Sequence, residues 1–242
     1  MNLYQRLFAK DSESGIFLLI DPDGKSLDDL VPMAIEAQEL GVKAFLIGGS
    51  FISDGDFNQV VKSIKEAVRI PVVLFPGNSR QISPYADGIF FMSLISGRNA
   101  QFLIGEQVMA APYVMSYNLE AIPMGYMLIE SGTVTSAEFI SNTKPIPRVK
   151  IGIAVAHSQA AMLLGMKVLY LETGSGAGQP VPSEMIAAIA SKVDLPIIVG
   201  GGITDPDQVQ SAIQAGARAV VIGTVVEKMG ISIVNQLIKA IK

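Results

Sequence analysis

A chain of 242 residues, half of them hydrophobic, is close to the length of one (β/α)8 barrel and ample for a large buried core. With 18 basic against 22 acidic residues and a net charge of -4, it carries no global electrostatic footprint for nucleic acid, so any anion must be held locally. The complete absence of Cys excludes disulfides, thiolate metal sites and cysteine nucleophiles.

The chain opens on an amphipathic stretch, Leu3, Leu7 and Phe8, which reads as a short helix capping the bottom of a barrel, followed by a polar connection over 10–14. This start lacks a basic segment leading into a long apolar one, so no signal peptide is expected and the cytoplasm is the default address. Gly15 to Ile20 reads as strand one, ending in Asp21-Pro-Asp-Gly24. Ser26 opens the first helix, Asp28 and Asp29 complement its dipole, and Gly41 stops it. Ala44 to Ile47 is strand two, closed by Gly48-Gly-Ser50. Helix two runs from Asp56 to Val68, with apolar residues at 57, 60, 61, 64 and 68.

Val72 to Phe75 and Gly88 to Met92 read as strands three and four. The connection between them, 76–87, is too short and too broken by proline for a normal barrel helix, so the third helix is expected to be shortened or replaced. That leaves one side open for an apolar groove suited to an elongated ligand; the alternative is that Pro84 and Tyr85 simply cover the wall. Asn99 to Asn118 is a long fourth helix and Ala121 to Ile129 strand five. Residues 136–148, with Pro145 and Pro147, read as a looser, mobile top loop, and Lys150 to Gly165 as helix five. The longest uncharged apolar stretch, Ile151 to Met166, falls short of a transmembrane span and carries His157, Ser158 and Gln159. Strands six to eight follow at Val168 to Leu171, Ile197 to Val199 and Val220 to Ile222, with helices at Pro182 to Lys192, Asp205 to Ala215 and Lys228 to Ile241. The expected architecture is therefore one α/β domain over 1–242, a (β/α)8 TIM barrel, with its strand-end motifs on the C-terminal face where active sites sit.

Three of those motifs are glycine turns after β-branched runs: Tyr170-Leu-Glu-Thr-Gly-Ser-Gly-Ala177, Gly200-Gly-Gly-Ile203 and Gly223-Thr-Val225. Glycine lets backbone N–H groups crowd an anion, and the spacing matches the last repeats of a barrel, where a phosphate site is commonly built. Asp21 and Ser50, with Asp23 as a further candidate, are hard oxygen ligands suited to Mg²⁺ shared with a diphosphate; a turn at Asp23-Gly24 and a helix cap at Asp21 is the structural alternative. Glu172 closes strand six with Tyr170 two residues back on the same side, placed to take a proton from a neighbouring hydroxyl, or else to pair structurally with Arg or Lys. Arg98, Asn99, Lys144 and Arg148 are the groups best positioned to meet a second anion, although each singly reads as a surface residue. His157 reads as packed or superficial. Lys43 and Lys167 precede their strands at the bottom of the barrel, which counts against a Schiff-base aldolase.

Ile20-Asp-Pro-Asp23, Gly48-Gly-Ser50, Pro123-Met-Gly-Tyr126, Lys144-Pro-Ile-Pro-Arg148, Gly165-Met-Lys167 and the three glycine turns together resemble the geranylgeranylglyceryl phosphate synthase family over nearly the whole chain. The resemblance implies a Mg²⁺-dependent prenyltransferase that joins sn-glycerol 1-phosphate to geranylgeranyl diphosphate, giving an ether lipid precursor and diphosphate. In the family pattern Asp21 and Ser50 match the metal positions, and Glu172, beside Tyr170, matches the proposed base. Tyr170, Leu171, Glu172, Thr173, Gly174, Ser175, Gly176, Ala177, Gly201, Gly202, Gly223 and Thr224 match the glycerol phosphate positions. One departure stands out: some members carry a phosphate-contacting Lys two residues before the metal Asp, where this chain has Leu19. The alternatives are a longer, heptaprenyl donor, a sugar-phosphate isomerase or aldolase on the same barrel, and a non-catalytic phosphate or lipid carrier. A homo-oligomer, dimer or hexamer, is expected, with Phe102, Leu103, Met109, Tyr113 and Tyr117 of helix four as candidate interface and product release by peripheral membrane contact.

Overall fold

Strands covered by helices outside and filled by side chains inside must be apolar on both faces, and the eight apolar runs meet that demand. The computed structural model describes residues 1–9 and 13–241. In it β1 (Gly15–Ile20), β2 (Ala44–Ile47), β3 (Val72–Leu74), β4 (Gly88–Leu94), β5 (Glu120–Leu128), β6 (Val168–Glu172), β7 (Ile197–Gly200) and β8 (Ala219–Ile222) pair in parallel, each with the next. Pairing of Ile16 with Val220 and Phe17 with Val221 joins β1 to β8 and closes the barrel. Alternation does the sorting. Phe17, Leu46, Val73, Phe90, Met124, Tyr170, Ile198 and Val221 fill the interior, while Ile16, Leu18, Ile20, Phe45, Ile47, Leu169 and Leu171 join the core shared with the helices.

The bottom is plugged by α1 (Leu3–Phe8), whose Leu3, Leu7 and Phe8 are buried in the interior cluster. Asn2 caps it, and the Glu120 carboxylate accepts the N–H groups of Leu3 (2.6 Å) and Tyr4 (2.8 Å), fixing the plug to the start of β5. Of the polar connection expected over 10–14, residues 10–12 lie outside those described.

α2 (Leu27–Leu40) and α3 (Phe57–Ala67) begin at their Ser26 and Asp56 caps as expected. Between β3 and β4 there is no helix; Gln81, Ile82 and Ser83 are buried in an irregular segment. Three expectations need correction. The fourth helix opens as a π-helical turn (Gln101–Gly105) before α4 (Glu106–Ser116); the Ser93 hydroxyl donates to the Leu103 carbonyl (2.7 Å) and the Gln107 amide to the Met92 and Phe102 carbonyls, tying this wider turn to β4. The segment 136–148 is not a loose loop: Thr135 caps α5 (Ser136–Ser141), and Ile146 bridges to Ile129. After α6 (Ile151–Leu163), α7 (Ser183–Ala190) and α8 (Pro206–Gln214), the single last helix expected over 228–241 is two pieces. α9 (Thr224–Met229) starts directly after Gly223, and Gly230, at φ 80°, separates it from α10 (Ile233–Lys239). Among the described residues no helix is long and apolar enough to cross a membrane.

Candidate active site

One cleft opens at the C-terminal mouth, and all eight strands or the loops directly after them contribute to it. Its polar end is built by the glycine turns. Ser175, after β6, lies 2.9 Å hydroxyl to hydroxyl from Thr224, the first residue of α9, and both face the cleft with Gly201, Gly202 and Gly223. The loops after β6, β7 and β8 thus converge on one small space. Gly202 needs to be glycine twice over: its φ is +67°, and a Cβ there would lie 2.6 Å from the Gln179 backbone. Gly174 is constrained likewise, at φ +100° with Thr135 side-chain atoms from 2.2 Å of a Cβ position. Six of the eight residues from 170 to 177 line the cleft. Leu171 and Thr173 do not: the two-residue alternation of β6 turns Leu171 into the helix-facing core, and Thr173 is buried with its N–H on the Gly200 carbonyl.

The same alternation carries Tyr170 and Glu172 inward. Both are buried; Tyr170 stacks on Tyr126 (centroids 5.3 Å, interplanar 7°) and contacts Phe75 (4.9 Å). Burial pushes the Glu172 carboxyl up to about 7, against the opposing pull of the Gly174 N–H at 2.5 Å, the Tyr170 hydroxyl and the Thr173 N–H. The Tyr170 hydroxyl, itself buried, lies beside Glu172 without well-formed hydrogen-bond geometry. Burial, then the Glu172 charge, holds both tyrosines well above the usual phenol range, so both stay neutral. A carboxyl that titrates near neutrality, facing an anion cradle, is equipped for proton transfer.

Across the mouth, Asp21 and Ser50 line the cleft together. Asp21 sits hard against Gly49, where a Cβ would lie 2.5 Å from its carboxylate, and its Oδ1 accepts the Asp23 N–H (3.1 Å). Burial raises its carboxyl, opposed by that N–H and by Lys25. Asp23 is turned away: its carboxylate accepts the N–H (2.7 Å) and hydroxyl (2.8 Å) of Ser53, and it does not line the cleft. Among the described residues no three His, Asp or Glu side chains converge as a metal cage. One half-buried carboxylate and one hydroxyl fit instead a cation that keeps waters and shares oxygens with a phosphorylated ligand, as Mg²⁺ does.

None of the four groups expected to meet a second anion reaches the cleft. Arg98 donates to the carbonyls of Gly97 (2.6 Å) and Ser96, Asn99 to that of Ser141 (2.8 Å), and Arg148 to those of Glu130 (3.1 Å) and Pro180 (2.9 Å); Lys144 is exposed elsewhere. Carbonyls of loops and of the end of α5 that no backbone ladder pairs are what these donors satisfy. Lys228, on α9, is the one Lys or Arg in the cleft lining among the described residues. Sequence reasoning missed it, as it missed Tyr126 and the buried Gln81; a helix running from 224 would have placed Lys228 one turn beyond Thr224. His157 rides on α6 with Nδ1 2.8 Å from the Ile153 carbonyl, far from any chemistry. Lys43 lies beside Gly15 at the bottom mouth, where no aldolase lysine would act.

The rest of the cleft is apolar and runs outward over the segment that replaces the third helix. Phe75, Ile82, Ile89, Phe91, Met92, Phe102 and Ala110 line it. Phe102, expected on an outer interface, is turned into this arm by the π-helical turn. Glu106 faces the arm too, but its carboxylate is engaged by the Ser79 N–H (2.6 Å) and the Gln101 amide (2.8 Å).

The model of the PcrB family matches residues 10–242. A relative named geranylgeranylglyceryl phosphate synthase, from Pyrococcus furiosus, is 46% identical over 215 residues, 88% of this chain and 85% of its own length. One of the same name from Flavobacterium johnsoniae is 44% identical over 218 residues, 90% of each chain. Among solved structures, the (S)-3-O-geranylgeranylglyceryl phosphate synthase of Thermoplasma acidophilum in complex with its substrate sn-glycerol-1-phosphate superposes with a TM-score of 0.93. It is 31% identical, with 100% of this chain and 99% of that one covered.

Proposed function

This chain belongs to the PcrB family, and we propose that it is a prenyltransferase joining sn-glycerol 1-phosphate to geranylgeranyl diphosphate. The observation that carries this reading is the union, in one cleft, of an anion cradle, a buried carboxyl and a long apolar arm. The cradle of Ser175, Gly202 and Thr224 takes the acceptor phosphate with neutral donors, leaving the glycerol end directed at Glu172. With its pKa near 7, Glu172 is largely ionised just above neutrality and takes the proton of the acceptor 3-hydroxyl as that oxygen bonds to C1 of the prenyl chain. The C1–O bond to diphosphate breaks with both electrons leaving on the diphosphate, which departs along the Asp21 and Ser50 rim. Mg²⁺ held there by Asp21 and Ser50 would neutralise charge on the leaving group. The apolar arm takes the hydrocarbon tail, and the aromatic floor of Phe75, Tyr170 and half-buried Tyr126 keeps water from the reacting carbon.

The product is then an ether lipid precursor, released by peripheral contact with a membrane from an enzyme placed in the cytoplasm. A homo-oligomer completes the reading: Ile104, Val108, Met109, Tyr113 and Met115 leave an exposed apolar face on α4 and the turn before it. Incubation with sn-glycerol 1-phosphate, labelled geranylgeranyl diphosphate and Mg²⁺ should give an organic-extractable phosphate ester. Absence of transfer with prenyl donors of every length would refute the reading, and competition among donors in the same assay reports whether a longer, heptaprenyl donor is preferred.

A further inference from the structure

Gln81 is a buried polar side chain with no part in the scheme above. It lies in the irregular segment between β3 and β4, is 3% exposed, and is engaged entirely with backbone. Its Oε1 accepts the N–H groups of Gly49 (3.1 Å) and Gly77 (3.0 Å), and its Nε2 donates to the Gly49 carbonyl (2.8 Å). One side chain therefore brackets both polar groups of Gly49 and ties the loop after β2 to the loop after β3. The two glycines it ties together have no room for a side chain. A Cβ on Gly77 would lie 2.3 Å from the Gly49 oxygen, and one on Gly49 would lie 2.5 Å from the Asp21 carboxylate. From the outer side, the Glu106 carboxylate holds the same segment through the Ser79 N–H.

We infer that Gln81 is the positioning residue that presses Gly49 and Ser50 against Asp21, and so sets the geometry of the donor diphosphate subsite. The inference rests on the reading that the Asp21 and Ser50 rim receives the donor diphosphate. No helix stands between β3 and β4 to brace this wall, and a buried amide ties the loops after β2 and β3 together instead. Losing it strands two N–H groups and a carbonyl in a dry place, and the loop gains most by swinging out to water. The acceptor cradle, built from β6, β7 and β8, shares no hydrogen bond with Gln81.

The test is calorimetric titration of Gln81→Met and Gln81→Glu with inorganic diphosphate plus Mg²⁺, and separately with sn-glycerol 1-phosphate. Gln81→Met keeps the volume and removes all the hydrogen bonds; Gln81→Glu keeps the accepting oxygen and loses the Nε2 donor. Diphosphate binding should weaken about tenfold or more in Gln81→Met and less in Gln81→Glu, while acceptor binding stays within about twofold. Retained acceptor binding also certifies a folded barrel, and should Gln81→Met fail to fold, Gln81→Glu carries the comparison alone. Unchanged diphosphate affinity, or equal weakening of both ligands, would overturn the inference. Asp21→Asn run alongside separates the two levels: if it too leaves diphosphate binding intact, the subsite assignment itself fails, whereas if it alone weakens binding, only the role of Gln81 falls.

Discussion

Replacing Glu172 by Gln should abolish transfer while making the protein more stable, and the two effects share one cause. Burial raises the carboxyl from its usual 4.5 to about 7, so between those values the folded protein binds a proton that the unfolded chain has released. Stability therefore falls as pH rises through this window: nothing is lost below about 4.5, and the full cost applies above about 7. That span corresponds to about 3 kcal/mol, an upper bound in which the opposing pull of the Gly174 N–H is already included. Gln keeps the acceptor for Gly174 and carries no charge to desolvate. At about pH 8.5, urea unfolding should show Glu172→Gln stabilised by roughly 1–3 kcal/mol over the parent, with the difference shrinking to within about 0.5 kcal/mol near pH 4.5. Turnover should fall at least about a hundredfold, and the acidic limb of the parent's kcat/KM profile should break near 7. A pH-independent stability difference, or a parent limb near 4.5, would refute the claim that burial governs this carboxyl.

Gly202→Ala should raise KM for sn-glycerol 1-phosphate more than about tenfold and cost roughly 1–3 kcal/mol of stability, because its φ of +67° and the Gln179 backbone 2.6 Å from the new Cβ both resist the change; steady-state kinetics with each substrate varied in turn should leave the donor KM nearly unmoved. Tyr113→Glu on the exposed α4 face should shift the mass measured by light scattering toward the monomer while changing unfolding by no more than about 0.5 kcal/mol; an unchanged assembly would move the interface elsewhere.

The barrel was legible because each parallel strand is a short continuous apolar run, and the cradle because three glycine turns, each weak alone, recur after β-branched runs at the spacing of the last barrel repeats. What escaped had physical reasons. Residues 170–177 read as one contiguous motif, yet the strand alternation sends Leu171 away from the cleft. Arg98 and Arg148 were placed on the correct face by their positions after strands, but position says nothing about direction, and unpaired carbonyls nearby captured both guanidinium groups. The start of α9 was hidden because Thr224, Val225 and Val226 favour strands on propensity alone. A π-helical turn has no residue signature of its own to set it apart from an α turn, so the inward swing of Phe102 left no trace in the spacing. Gln81 bonds across 32 residues to Gly49, a contact no local pattern encodes.

Ser175, Gly202 and Thr224 carry no charge, Lys228 being the one Lys or Arg in the cleft lining among the described residues, and Leu19 is where electrostatic coupling of the phosphate site to the base can be tested. Leu19 lines the cleft 3.4 Å from the Cβ position of Gly223, at the same mouth as Glu172. A cation there would strengthen the hold on the acceptor phosphate, but a unit charge at the same mouth also favours an ionised carboxylate, by about 2 kcal/mol for a separation of about 8 Å at an effective dielectric near 20. Leu19→Lys should then lower the acceptor KM several-fold and move the acidic limb of kcat/KM down by about 1.5 pH units, with a weaker base and slower transfer above neutrality. The Glu172 carboxyl is set at about 7 by burial against its hydrogen bonds, and no cation, Lys228 included, is among the groups that act on it. If Leu19→Lys tightened acceptor binding with no movement of the limb, phosphate site and base would be electrostatically independent.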